Sequence, residues 1–284
     1  MSYRNNQDRV GAPLTAQDPA PQEQVKEEGF SYAMPTEVVD LPSKGQFYPP
    51  EHPLYGVTSI EIKHMTAKEE DILTSVTLLK KGLALDRMLK SIILDKRVSS
   101  EDLLVGDKNA LVVAARINAY GSEYSTTVAC PGCSTSSTHN FNLDELVNTF
   151  PEEEDFMLYD ADNEDGRFFI NLPKSNVRVG IHMLCGADEK KMLAMSERKK
   201  RMRLPESALT DQLKMIVETI DGDEDKKSIS QFIDTMPASD SRHLRVAYAA
   251  LTPNVDLKQT FECEACGFAE EVDIPLTADF FWPR

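Results

Sequence analysis

The spacing of apolar residues changes along this chain, and each change marks a boundary. Thr66-Ala67-Lys68-Glu69 matches a capping box, in which hydroxyl and carboxylate satisfy the orphan amides of a helix start. Ile72, Leu73, Val76 and Leu79 follow at helical spacing, and Gly82 after Lys80-Lys81 predicts the stop. Leu85, Met88, Leu89, Ile92 and Ile93 form a second amphipathic stripe. Asp107 precedes a third helical run through Leu111, Ala114, Ala115 and Ile117, ending near Gly121. Such stripes usually form core.

From Ser122 the period shortens to alternating runs around Cys130-Pro131-Gly132-Cys133. The same pattern returns from Leu257 to Pro275 around Cys263-Glu264-Ala265-Cys266-Gly267. These predict two β-hairpins. Between them, strands are expected at Phe156 to Tyr159, Arg167 to Asn171 and Val177 to Met183. Helices are expected near Asp188 to Arg203, Glu206 to Ile220, Ser228 to Met236 and Ser239 to Leu251. The predicted fold class is therefore α+β: a helical platform, a zinc-ribbon-like pair of hairpins, and an inserted α+β subdomain between the two Cys-x-x-Cys knuckles. The expected boundaries are 1–35 for a disordered arm, 36–62 for an extended Pro-rich docking segment and 63–121 for the platform. Residues 122–142 with 257–276 give the hairpins, 143–256 the insertion and 277–284 an aromatic tail.

Composition supports the two ends of this division. The first 35 or so residues are rich in Gln, Asp, Pro, Ala and Glu, too polar to offset the entropy of ordering. The next stretch, Val38 to Pro50, mixes large apolar side chains with prolines and fits either an extended segment laid on a surface or a Pro-rich loop. With 47 acidic and 31 basic side chains, the formal charge of −16 repels nucleic-acid phosphates and favours basic protein surfaces. No leader-like basic flank and apolar run opens the chain, and no apolar stretch nears the roughly 20 residues that span a bilayer. The expectation is a soluble, unexported protein that binds neither nucleic acid nor membrane.

Chemistry concentrates at the cysteines. Four thiolates from two hairpin tips, Cys130, Cys133, Cys263 and Cys266, can surround one zinc tetrahedrally in the closed arrangement of structural sites. Gly132 and Gly267 relax the backbone where amides turn toward sulfur. Two redox dithiols or two coincidental pairs are the competing readings; a redox pair belongs at a helix start, whereas these have strand-like flanks. His139 could replace one cysteine, and Cys185 reads as a small buried hydrophobe. A closed site leaves no position for a substrate, so no enzyme and no small-molecule substrate are expected. The acidic runs Asp160 to Gly166 and Asp221 to Asp225 miss the calcium-loop pattern and read as solvated turns. The basic run Arg198-Lys199-Lys200-Arg201 reads as a solvated helix end or a protein contact.

Four stretches also carry a resemblance. They are Val39-Asp40-Leu41-Pro42-Ser43-Lys44-Gly45 with Phe47-Tyr48-Pro49, Met65 to Leu73 running on to Gly82, Leu104 to Ala110 through Gly121 to the first knuckle, and Leu251 to Asp256 with the second knuckle and Pro275 to Pro283. Together they resemble the baseplate hub proteins of T-even-like contractile-tailed bacteriophages. The resemblance implies a hub subunit or hub assembly protein, placed in the virion tail baseplate after assembly in the host cytoplasm, with other baseplate subunits as partners. It implies no catalytic residues. Phe47, Tyr48 and Trp282 would then be anchors for a neighbour, with packing in the chain's own core as the alternative at the C-terminal end. Two other classes stay open: a zinc-ribbon nucleic-acid binder, which the glutamates around the second knuckle oppose, and a zinc-dependent cell-wall hydrolase, which needs an open metal site.

Overall fold

The computed structural model describes residues 34–164, 167–274 and 278–281. The expected disordered arm, apart from its last two residues, and Trp282 lie outside them. In chain order, β1 (Thr36–Asp40) pairs antiparallel with β2 (Ser59–Lys63), and α1 (Ala67–Thr74), α2 (Val76–Lys80), α3 (Ala84–Ile92) and α4 (Val105–Tyr120) follow. The first hairpin is β3 (Glu123–Ala129) with β4 (Ser136–Asn142). Next come β5 (Val147–Thr149), α5 (Glu153–Leu158), β6 (Ala161–Glu164), β7 (Arg167–Asn171) and β8 (Arg178–Ile181). Then come α6 (Gly186–Met202), α7 (Ala208–Ile216), β9 (Val217–Ile220), α8 (Lys226–Thr235) and α9 (Ala238–Leu251). β10 (Asn254–Asp256) leads into the second hairpin, β11 (Lys258–Glu262) with β12 (Ala269–Asp273). Helices and small antiparallel sheets make this an α+β fold, its largest sheet running β6-β7-β8-β9.

α4 is the central element. Ala110, Leu111, Val112, Val113 and Ala115 are buried, so its apolar surface is a wide band rather than one narrow stripe. Gly106 opens this helix where the chain before β10 crosses it: a Cβ there would sit 2.0 Å from the Pro253 carbonyl oxygen. Arg116 is buried as well, and its guanidinium donates to three backbone carbonyls, at Phe280 (2.8 Å), Gly121 (2.7 Å) and Glu123 (3.0 Å). One side chain thus fastens the C-terminal turn to the end of α4 and the start of β3.

The capping box forms. The carboxylate of Glu69 accepts from the Thr66 amide at 2.9 Å, from Ser91 Oγ at 2.5 Å and from Lys63 at 2.9 Å, and the side chain is fully buried. Burial raises the pKa of this carboxyl, but the bonds from Ser91, Thr66 and Lys63 outweigh it and hold the group at about 2. The helix it starts breaks at Ser75, whose extended backbone separates α1 from α2, and Gly82 follows in the left-handed region at φ 65°.

Several expectations need correction. Phe156 to Tyr159 is not a strand but falls in and just after α5, because Asp155 accepts the Glu152 amide at 2.9 Å and acidic residues fill the first turn, favoured by the helix dipole. The helix expected from Glu206 to Ile220 ends at Ile216, where Val217 to Ile220 become β9, an alternating β-branched run paired with β8. The segment expected to dock on a neighbour instead docks on its own chain. Leu41, Phe47, Tyr48 and Leu54 are buried, and Phe47 packs on Phe150 and Phe168 at ring distances of 5.8 and 5.1 Å. Phe280 and Phe281, from the expected aromatic tail, are likewise buried. The insertion is closed at its base by β5 pairing with β10, Thr149 opposite Asn254. It is not a separate lobe: Phe168, Val179, Leu184 and Leu244 share one core with Leu89 and Leu111.

Candidate metal centre

The two knuckles are built alike. In the first, the Cys130 amide donates to the Thr135 carbonyl (2.9 Å) and the Ser134 amide to the Cys130 carbonyl (2.8 Å). In the second, the Cys263 amide donates to Phe268 (2.8 Å) and the Gly267 amide to Cys263 (2.8 Å). The residue after each second cysteine takes a left-handed backbone, Ser134 at φ 59° and Gly267 at φ 69°. Glycine serves that position in the second knuckle only. Gly132 has a different role: Phe268 of the opposite knuckle packs on it, 3.0 Å from where a Cβ would stand.

The hairpins meet through these tips. Cys130 Sγ lies 3.7 Å from Cys266 Sγ, and Cys133 Sγ lies 3.8 Å from Cys263 Sγ. All four sulfurs fall within 4.8 Å of one another. A tetrahedral metal with sulfur bonds of about 2.3 Å has sulfur–sulfur edges of about 3.8 Å, so the two close contacts already have the spacing that such an ion requires. One cysteine of each knuckle is buried, Cys130 and Cys263, while Cys133 and Cys266 face outward. Thr135 hydroxyl and amide hydrogen bonds hold the Cys133 thiol at about 6. The Phe268 amide lowers Cys266, but its bond with Cys133, burial, and Cys130 and Cys263 push it up to about 12. Cys133 and Cys266 are thus pushed in opposite directions, a conflict that a bound cation removes.

Below the cluster lies a small apolar patch of its own, Phe261 with Val128, Phe268 and Val272. The hairpins are also joined at the far end, where Gln259 accepts the Asn142 amide at 3.1 Å and donates to the Asn142 carbonyl. His139 is no ligand here; its ring stands edge-on to Phe141 (4.7 Å) and Phe261 (5.3 Å). Among the described residues, the four cysteines are the group of metal-ligating side chains that converges.

Other predicted positions fall elsewhere. Cys185 is half-buried and not a plain hydrophobe, since it caps α6 and its thiol meets Asp188 Oδ2 at 3.2 Å. Burial chiefly raises its pKa. The run Asp221 to Asp225 is a turn, with Gly222 left-handed and Asp225 capping α8 through the Ser228 amide (3.0 Å). Asp160 to Glu164 makes a left-handed residue and then β6. A buried polar centre escaped sequence reading: Asp107 accepts from the Ser43 amide (2.9 Å), Ser43 Oγ (2.6 Å) and Tyr48 Oη (2.7 Å). Tyr48 Oη in turn accepts the Leu104 amide at 3.1 Å. Burial raises the pKa of Asp107 against those three bonds, and burial followed by the Asp107 charge raises that of Tyr48. The only local signal was an acidic residue beside a helix start.

A family described as T4 bacteriophage base plate protein matches residues 34–282, a span that contains both knuckles and every element above. This chain belongs to that baseplate family. No curated protein and no solved structure matches it. Family membership places the chain among phage baseplate proteins, and the four-cysteine cluster is a feature of this member's fold that could hold a metal ion. Among the described residues, no helix is long and apolar enough to cross a membrane.

Proposed function

We propose that this protein is a non-catalytic component or assembly factor of the baseplate hub, working by contact with other baseplate subunits and fastened by one structural zinc on Cys130, Cys133, Cys263 and Cys266. The observation that carries the reading is the family match from residue 34 to 282, joined to a cysteine quartet whose spacing suits a closed tetrahedral ion. Zinc there would tie two ribbon-like hairpins together and offer no open position for a substrate. The acidic balance of 47 to 31 and the glutamates at positions 262, 264, 270 and 271 favour protein neighbours over nucleic acid. A cell-wall hydrolase would need histidine or carboxylate ligands around an open metal position.

Two measurements test this. Elemental analysis of the reduced, purified chain should give one zinc, and well under one would remove the metal from the proposal. In a phage carrying this gene, an amber mutation should block baseplate formation while heads still assemble. Normal tails without the gene product, or cleavage of peptidoglycan by the purified protein, would overturn the functional reading.

A further inference from the structure

α6 has two unlike halves. Its first turns are anchored: Asp188 is buried, Glu189 pairs with Lys108 at 2.7 Å, and Lys190 pairs with Asp86 (3.0 Å) and Glu101 (2.8 Å). From Leu193 to Met202, Lys199 is the one residue that is even half-buried. Lys199 reaches Asp211 and Ser207 and so holds the tip against α7. The apolar side chains of this tip, Leu193, Met195 and Met202, stay exposed, as do Leu204 and Leu209 beyond the left-handed turn at Arg203. A short helical stretch with no buried face gains little from packing, and exposed apolar residues rimmed by charge mark a surface made to be covered.

The charge of the tip narrows what covers it. Residues 193–203 hold five basic side chains and one acidic; subtracting them from the chain's 31 and 47 leaves 26 basic against 46 acidic residues elsewhere. Among the described residues Arg198, Lys200, Arg201 and Arg203 pair with no carboxylate. The complementary surface is on the same chain. α5 exposes Glu153 and Glu154 and, one turn on, Met157 and Leu158, with Glu152 exposed just ahead of it. Spacing of four puts Glu153 beside Met157 and Glu154 beside Leu158, an acidic edge along an apolar ridge. α5 and the tip of α6 therefore match in both charge and apolar content.

We propose that the tip of α6 docks on α5 of a second copy of this chain. Arg198, Lys200, Arg201 and Arg203 meet Glu152 to Glu154, and Met202 and Leu204 cover Met157 and Leu158. Two such contacts close a two-fold pair if they are reciprocal, and a ring if they run head to tail. The occupant is a second copy because the acidic, apolar ridge that the tip requires is present on this chain.

The test is light scattering and sedimentation of the full chain across salt concentrations. The parent should show a concentration-dependent mass above that of one chain, falling as salt screens the contact. R198E with R201E, or E153K with E154K, should each weaken self-association at least about tenfold. The four changes together should restore it to within a few-fold of the parent. Matching circular dichroism and unfolding curves separate lost association from lost folding. A parent that remains a single chain at tens of micromolar in low salt overturns the proposal. So does a reversal on α5 without effect, or a fourfold charge swap that fails to restore association.

Discussion

The core around α4 and the pair of knuckle hairpins belong to one chain but are held together by different means. Around α4, Leu111, Met88, Leu89 and Ile92 are wholly buried, and Arg116, Asp107 and Glu69 are each supplied with several hydrogen-bond partners. Tyr124 and Phe141 tie the far ends of β3 and β4 to the main core, but toward the knuckles the hairpins expose most of β11 and β12 and bury one aromatic, Phe261, with two of the cysteines. A two-stranded hairpin is marginal alone, and two of them sharing so small an apolar patch need a further fastening. The lesson is that the polar groups of the core refine a structure that burial already supports, whereas the knuckle ends have little buried surface beyond the cysteines themselves.

The largest expected effect follows directly. Cys263→Ser, or removal of the proposed metal by a chelator, should strip β11, β12 and the knuckle ends of β3 and β4 of protection in hydrogen exchange while α4 keeps its own. Structural zinc contributes about 10 kcal/mol or more of apparent binding free energy in small fingers, far above what the local patch supplies. If all the amides open together, or none do, the division between the regions fails. Next in size, Asp107→Ala leaves the Ser43 amide, Ser43 Oγ and Tyr48 Oη without their buried acceptor. It should cost about 3 kcal/mol or more in urea unfolding without changing metal content. A loss of metal in that variant would show that the two regions are coupled.

The smallest effect depends on pH. Glu69 has a folded pKa of about 2 against an ordinary 4.5, so its stabilising contribution is complete above the ordinary value and fades as pH falls toward 2. Glu69→Gln should therefore lower the Tm at neutral pH, with the gap to the parent closing between about pH 4.5 and 2. A gap that does not change with pH would mean that shape, and not charge, is what Glu69 supplies.

Features that depend on neighbours in sequence were legible. Thr66 and Glu69 stand three apart, and each cysteine pair is complete within four residues, so the helix start and the quartet's members could be read directly. What depended on distant partners was hidden. The stretch from Leu41 to Tyr48 looks like a surface segment because of Pro42 and the Pro49-Pro50 pair beside it, and its burial follows from Asp107, about 60 residues away. Phe156-Met157-Leu158-Tyr159 has the composition of a strand, and the Glu152 to Asp155 cap decides for a helix. Val217 to Ile220 continues the spacing of α7, and the open edge of β8 draws it into the sheet instead.

The sulfur pairs of the knuckles are separated by 136 and 130 residues in the chain. At ribosomal speeds of about 5–20 residues per second, the first knuckle emerges on the order of ten seconds before its partner exists. During that interval Cys130 and Cys133 form half of the proposed site, and a metal caught there would be completed by whichever second pair arrives first. On a crowded polysome that pair can belong to the neighbouring nascent chain, whose own first knuckle is already out. If the quartet holds a metal, a low free-metal concentration during synthesis favours correct pairing within one chain, and excess metal favours chains crosslinked through their knuckles.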